Sequence, residues 1–202
     1  MKILVRASAN TAEPVSWIGG RVLGPPELEW PRCSSCEGAM QFLAQIDLGQ
    51  AGGPDQWLLL FQCHNRPGSC EEWDAYSGGN ATLRVARAGS VSITPPDTGE
   101  DELISGYDPL TIDEFDARDF GSESEAYTAA LEQRGSEVLG KIGGEPQWMV
   151  DDETPLCDCG APMHFAVLLE EGRELSFGNG WALAFFCDSC PAQARLLWQQ
   201  GG

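Results

Sequence analysis

Eight cysteines are the residues of this chain best suited to chemistry. They fall in two groups of four: Cys33, Cys36, Cys63 and Cys70, then Cys157, Cys159, Cys187 and Cys190. Thiols at these spacings can bind a metal, pair as disulfides or cycle between redox states. Two close pairs joined by two strands can set four thiolates around a Zn²⁺ ion, as in a zinc ribbon. Copper(I) also suits thiolates, and Cys-x-Cys occurs in such sites. Disulfides need an oxidising compartment, of which the chain gives no sign. A redox Cys-x-x-Cys needs a helix N-terminus to lower its pKa, whereas Cys33 and Cys36 lead into a strand. The expectation is therefore two zinc ions per chain, one on each quartet. His64 follows Cys63 and could replace a cysteine, but it reads as a residue of the "HNRPGS" insertion. His164 alternates with Met163 and Phe165 and reads as an outward-facing strand residue.

The elements around the cysteines also occur twice. Ile-Gly-Gly at 18–20 recurs at 142–144, Pro31 and Cys33 recur as Pro155 and Cys157, and Cys63 recurs as Cys187, each 124 positions on. Met40 and Phe42 recur as Met163 and Phe165 at 123, so one residue is missing after Cys157. That loss turns Cys-x-x-Cys into Cys-x-Cys. A shared offset over many landmarks marks an internal repeat. Each copy reads as Gly-Gly, a cysteine pair, a Met-x-Phe strand, a turn, an apolar strand ("QWLLLFQC", "GWALAFFC") and a second pair.

Composition agrees with a folded, β-rich chain. Of 202 residues 42% are hydrophobic, with 7 Trp and 8 Phe, and 24 Gly and 13 Pro favour short elements and turns. The fold class expected is mainly β (α+β): duplicated antiparallel β modules, each with a four-cysteine site, and one or two short helices between them. The formal net charge of −19 argues against nucleic acid and anionic membranes, which need clustered Lys and Arg, and favours a basic protein partner. "MKILVRASAN" reads as a first strand rather than a signal peptide, and no run approaches the ~18 apolar residues of a membrane span. A cytoplasmic protein is expected. No GxSxG, HExxH or phosphate-binding glycine loop is present, so no catalytic residue is assigned.

The boundaries expected are a first β repeat over 1–96, an acidic connector and helix over 97–140, and a second repeat over 141–202. Residues 97–125 carry eleven acids against one base, Arg118. Leu103, Ile104, Tyr107, Leu110, Ile112, Phe115 and Phe120 punctuate that run. Acids among apolar anchors can dock a basic partner, or form a solvated connector held down by its hydrophobes. The candidate partner-binding residues are Asp113, Glu114, Phe115, Asp116, Asp119 and Phe120, with Trp148 in the second repeat. Ser122 with Glu125 makes a capping box, Ala126, Ala129, Ala130 and Leu131 favour helix, and Gly135 ends it.

The motifs "KIGGEPQWM", "PLCDCGAPMHF" and "FFCDSC" resemble the YwqG-like family of bacterial proteins. The chain is also similar to the eukaryotic programmed cell death protein 2 group, which shares a Lys-x-Gly-Gly-x-Pro-x-Trp start and paired cysteines. The resemblance lies at Lys141, Gly143, Gly144, Pro146, Trp148, Cys157, Cys159, Gly160, Met163 and Phe165. In the first half "SWIGGRVLGPPELEW" departs from that spacing. The resemblance implies a duplicated antiparallel β fold and, from the eukaryotic relatives, chaperoning of a basic ribosomal protein; it brings no catalytic residues. The function expected is a non-enzymatic, zinc-stabilised protein-binding module, chaperone-like or immunity-like. The alternatives are a zinc-dependent enzyme, for which eight cysteines leave no open coordination position, and an acidic DNA mimic, supported by charge alone.

Overall fold

A computed structural model of the chain describes residues 1–7, 16–96, 106–172 and 175–201. Asp97, Glu100, Asp101, Glu102, Leu103 and Ile104 of the acidic segment lie outside the described residues. Among the described residues there are twelve strands: β1 (Lys2–Arg6), β2 (Ser16–Gly19), β3 (Val22–Gly24), β4 (Gln41–Asp47), β5 (Gln56–Gln62), β6 (Asn80–Ala86), β7 (Val91–Ile93), β8 (Tyr107–Glu114), β9 (Val138–Ile142), β10 (His164–Glu170), β11 (Gly180–Phe186) and β12 (Ala194–Gln200). One α-helix, α1 (Glu123–Arg134), precedes β9. The fold is mainly β, with every pairing between strands antiparallel.

Ten strands form one sheet in the order β12-β11-β10-β9-β1-β8-β2-β4-β5-β6. Its two outer fours, β2-β4-β5-β6 and β9-β10-β11-β12, have the same internal order. At the centre β1, which precedes β2 in the chain, pairs with β9, while β8, which precedes β9, pairs with β2. Each half thus lends a strand to the other, and β1 and β8 pair with each other between them. Residues 107–114, read in the sequence as part of a connector, are therefore a central strand. Pro109 has no N–H to give to the ladder, but its carbonyl accepts from Ala7 N at 2.7 Å.

Local geometry matches between the halves. Gly19 and Gly20 have φ of 64° and 69°, and Gly143 and Gly144 have 65° and 73°. These left-handed values suit glycine, which explains the paired Gly-Gly. The register of β4 on β5 slips between Phe42 and Ala44, and that of β10 on β11 between Phe165 and Val167. A bulge at the same place turns both strands alike.

The sheet carries apolar side chains on both faces, so "QWLLLFQ" and "GWALAFF" are continuous runs rather than alternating ones. Leu4, Ile18, Leu43, Leu58, Ile142, Val167, Leu169 and Phe186 share one core drawn from both halves. The edge strands β6 and β12 come back into contact with each other. The opposite face holds two separate outer layers. In the first half Trp17, Met40, Phe42, Leu59 and Phe61 pack with Cys33, Cys63 and Cys70. In the second Met163, Phe165, Leu183 and Phe185 pack with Cys157 and Cys187, under Tyr127 and Ala130 of α1. Burying a side chain as large as Phe61 or Phe185 contributes about 1.5–3 kcal/mol.

The helix starts where the sequence placed it. Ser122 Oγ accepts from Glu125 N at 3.1 Å, and the Glu125 carboxylate reaches back to Gly121 N at 2.9 Å, one residue beyond the usual capping-box partner. Gly135 ends it at a φ of 52°. Among the described residues no helix is long and apolar enough to cross a membrane.

Candidate metal centres

Each outer layer places its cysteines between two turns. In the first half Met40 N donates to Pro31 O at 3.0 Å and Cys33 N to Gly38 O at 3.0 Å; in the second Met163 N donates to Pro155 O at 2.9 Å and Cys157 N to Ala161 O at 2.8 Å. The same bonds thus close loops that differ by one residue. Inside them, Glu37 N donates to Cys33 O with Glu37 at a φ of 60°, whereas Gly160 N donates to Cys157 O with Gly160 at 84°. The missing residue is absorbed within the turn, and the flanking strands keep their register. The second pairs follow β5 and β11. Cys63 N donates to Gly79 O at 2.8 Å and Cys187 N to Gln193 O at 3.1 Å, so a long insertion and a short loop close on one frame.

The result is two sulfur clusters. Within each quartet all four Sγ atoms lie within 4.8 Å of one another. Cys36 Sγ is 3.6 Å from Cys63 Sγ, and Cys159 Sγ is 3.9 Å from Cys187 Sγ. Metal–sulfur bonds of about 2.3 Å in a tetrahedron put sulfurs about 3.8 Å apart, so the residues fit an ion. All eight cysteines are free thiols. Four protein donors around an ion would leave no coordination position for a substrate, the arrangement of structural rather than catalytic sites.

The surroundings favour the thiolate at one cysteine of each quartet and the neutral thiol at others. Burial raises the Cys36 thiol, but the Gly38 N–H and three neighbouring thiols outweigh it and bring it down to about 7. The Ala161 N–H, with its neighbouring thiols, lowers Cys159 to about 7. Burial, with its neighbouring sulfurs, pushes Cys70 well up, and the sulfurs of Cys157 and Cys159 push Cys190 up to about 12. Sulfurs this close cannot all hold charge without a cation among them, so metal binding releases protons.

The shells around the quartets differ. In the first, Asn65 Nδ2 donates to Cys63 Sγ at 3.4 Å, to Cys36 Sγ at 3.6 Å and to Ala39 O at 3.1 Å. In the second, Arg84 of β6 crosses from the other half. Its Nη1 donates to Cys187 O at 2.5 Å and Cys190 O at 3.0 Å, and its guanidinium lies over Phe186, 5.3 Å from the ring centre. Arg195 of β12 crosses the other way, donating to Ala75 O at 3.2 Å and lying 4.5 Å over the Tyr76 ring. Asn65 could be guessed from its place two residues after Cys63; the arginines could not, because their role depends on how the sheet's edges meet.

The structure brings all eight predicted ligands together, and His64 lies outside the clusters. His64 is half-buried, and burial lowers its pKa. His164 is exposed, with Nε2 2.9 Å from Asp188. Among the predicted partner-binding residues, Asp113 at the end of β8 pairs with Arg134 of α1, and Asp116 pairs with Arg118 at 2.5 Å. The Arg134 guanidinium lowers Asp113, and that of Arg118 holds Asp116 well below the usual carboxylate range. Phe115 exchanges backbone hydrogen bonds with Met1 and stands 6.0 Å from Phe120, ring to ring. Glu114 and Asp119 are exposed. Trp148 stacks on Phe185, centroids 5.8 Å apart, as part of the second outer layer.

One further group explains the Lys141 motif. Lys141 is 1% exposed; its Nζ donates to Glu123 Oε1 at 3.0 Å and to Glu145 O at 2.5 Å. Burial lowers its pKa, and Glu123 works against that. A Cβ on Gly144 would stand 2.3 Å from Glu123 Oε1, so only glycine leaves room for the pair.

Fold and sites together define an antiparallel β protein with two groups of four cysteines, each of which could hold a metal ion. Compared with models of known families and with curated proteins, the chain matches none.

Proposed function

We propose that this chain is a non-enzymatic protein-binding module built of two copies of one unit, each stapled by a zinc ion, and that it engages a basic protein in a chaperone-like or immunity-like role. The observation that carries this reading is the pair of four-thiolate clusters. Zinc is the metal of choice for four thiolates in a tetrahedron, and four protein donors make a site that folds the chain rather than one that turns over substrate. The charge of −19 supports a basic partner by steering encounter. The likeness to YwqG-like proteins and to the programmed cell death protein 2 group points the same way. Purification under reducing conditions with elemental analysis tests the metal: close to two zinc ions per chain are expected, and disulfides with no zinc would refute it. Native isolation tests the partner: a lysine- and arginine-rich protein should co-purify and be released as salt rises, and a partner held regardless of salt would count against a charge-steered interface.

A further inference from the structure

Among the described residues six large apolar side chains are exposed: Trp73, Tyr76, Val91, Tyr107, Val150 and Leu156. Single exposed apolar residues are ordinary, whereas a group of them marks a contact surface. Four of the six are held against one edge strand, β12. Trp198 N of that strand donates to Trp73 O at 3.1 Å, and the two rings meet edge to face with centroids 6.1 Å apart. Arg195, also on β12, donates to Ala75 O and lies over the Tyr76 ring. Tyr76 Oη in turn accepts from Leu156 N at 2.8 Å. Further along the strand Gln199 Oε1 accepts from Val150 N at 3.3 Å. Arg195 and Gln199 share a face of β12 and stand four residues apart, about 13 Å of strand. Tyr76, Leu156 and Val150, which are 58%, 52% and 67% exposed, therefore lie within reach of one short segment of another chain. Exposed acids flank them: Asp74 after Trp73, Asp151, Asp152 and Glu153 after Val150, and Asp158 after Leu156. The base bonded within the strip, Arg195, is already paired with Asp158 at 2.8 Å.

We propose that this strip along β12 docks a protein segment that carries arginine or lysine together with large apolar side chains. The apolar residues supply the area that holds a partner, and tyrosine and tryptophan are the side chains that most often anchor one. The acids around them select a basic occupant and speed its arrival. The same acids disfavour nucleic acid and an anionic membrane. A second copy of this chain would set the strip against itself in a twofold contact, acid against acid. The surface is also held ready. Tyr76 is fixed by Arg195 and Leu156, and the turn at Val150 by Gln199, whose Nε2 donates to Asp151 O and Glu153 Oε2 at 2.9 Å. A surface fixed in this way loses little freedom on binding. In the first half the strand pair β3–β7 packs over the corresponding outer layer, and the described residues of the second half include no such pair. The inference deepens the reading of a basic protein partner, and it rests on that reading for the kind of occupant.

The test follows the backbone and indole N–H signals of the full chain by two-dimensional NMR while three short capped peptides are added in turn. One alternates arginine with leucine, one arginine with serine, and one glutamate with leucine. Saturable shifts at Trp73, Tyr76, Val150 and Leu156 are expected with the arginine–leucine peptide, weaker ones with arginine–serine, and none with glutamate–leucine. V150S with L156S removes two exposed anchors; it should weaken binding of the first peptide about tenfold and leave the unfolding midpoint unchanged. D151N with D152N should weaken it about threefold and flatten its salt dependence. E114Q with D119N, in the acidic segment that follows β8, should leave it unchanged. Absence of saturable shifts at the strip in the folded protein would overturn the proposal, as would equal binding of the glutamate–leucine peptide. Self-association that V150S with L156S abolishes would also overturn it, in favour of a second copy. A basic protein that co-purifies with the parent and equally with V150S/L156S would overturn this surface and leave the partner reading standing.

Discussion

The two sulfur clusters sit on one frame but are shielded differently. In the first, three cysteines are buried and Cys36 is half-buried, and the amide of Asn65 rests on two of the sulfurs from within the same half. In the second, Cys159 is exposed, the first pair is one residue tighter, and the carbonyls of Cys187 and Cys190 are tied to Arg84 of the opposite half. The frame is set by strand ends and by the bonds from Met40 and Met163 to the prolines, and these tolerate a change of loop length. The groups that contact the two quartets differ. The direct contacts to the cysteines of the first site are therefore local to its half, whereas those of the second come in part from the opposite half.

The strongest way to break this comparison is to remove a ligand from each site. Cys63→Ser and Cys187→Ser should each release one metal and cost several kcal/mol, because binding energy at a structural site is folding energy. Native mass spectrometry and denaturant melts read both effects. If the difference in shielding matters, a chelator should strip the ion of the exposed Cys159 site before that of the first site. Loss of both metals at one rate would show that the two shells are equivalent.

The Lys141 position gives the next largest effect. Trp17 stands 124 positions earlier, at the same place in the first outer layer, where its neighbours are apolar. The second half places an amine there and needs Glu123 to hold it. Glu123→Gln leaves a buried cation without its counter-charge and should cost about 3 kcal/mol, read as a lower unfolding midpoint. An unchanged midpoint would mean that Glu145 O and the Tyr127 and Phe165 rings, 5.9 and 5.7 Å from the amine, suffice.

What was legible in the sequence follows from what is local. The eight ligands announce themselves by type and spacing, and Ser122, Glu125 and Gly135 by their place at the ends of a helix. The exchange of β1 and β8 was not legible. "YDPLTIDE" carries three acids and a proline, and most of its side chains are half-buried or exposed, so neither an apolar run nor a clean alternation marks it. Its strand character comes from being paired on both sides. Lys141 was visible as part of a motif, but its partner Glu123, 18 positions away in a helix, was not.

A smaller effect tests the dependence of the second site on the first half. Arg84→Met keeps an apolar stem over Phe186 and removes both hydrogen bonds to the second cysteine pair. It should cost about 1–3 kcal/mol and speed metal loss from the second site alone, though the residue belongs to the first half. Asn65→Ala is the counterpart. It should weaken the first site's metal affinity about tenfold, the usual worth of a residue that orients ligands from behind, and leave the second site as it was. Competition with a chelating dye reads both. Equal effects of either substitution on both sites would refute the division between ligands held locally and ligands held from the opposite half.

The smallest effect on folding is expected at the seam between the halves, where the acidic segment runs from β8 towards α1. Glu114→Gln with Asp119→Asn removes two charges and leaves the Asp113–Arg134 and Asp116–Arg118 pairs intact. Stability should not change. If this segment docks a basic partner, the association rate should fall about threefold and its salt dependence should flatten, because rim charges act on encounter more than on residence. Phe120→Ala removes one ring of the Phe115–Phe120 pair and should instead speed dissociation, because buried apolar contacts hold the complex once formed. The two variants thus separate steering from anchoring in one kinetic experiment. Binding of both like the parent would make the segment a structural seam. The contact surface would then lie on the outer layers of the halves, around Trp148 and Trp181, whose indole donates to Gln147 O at 2.9 Å.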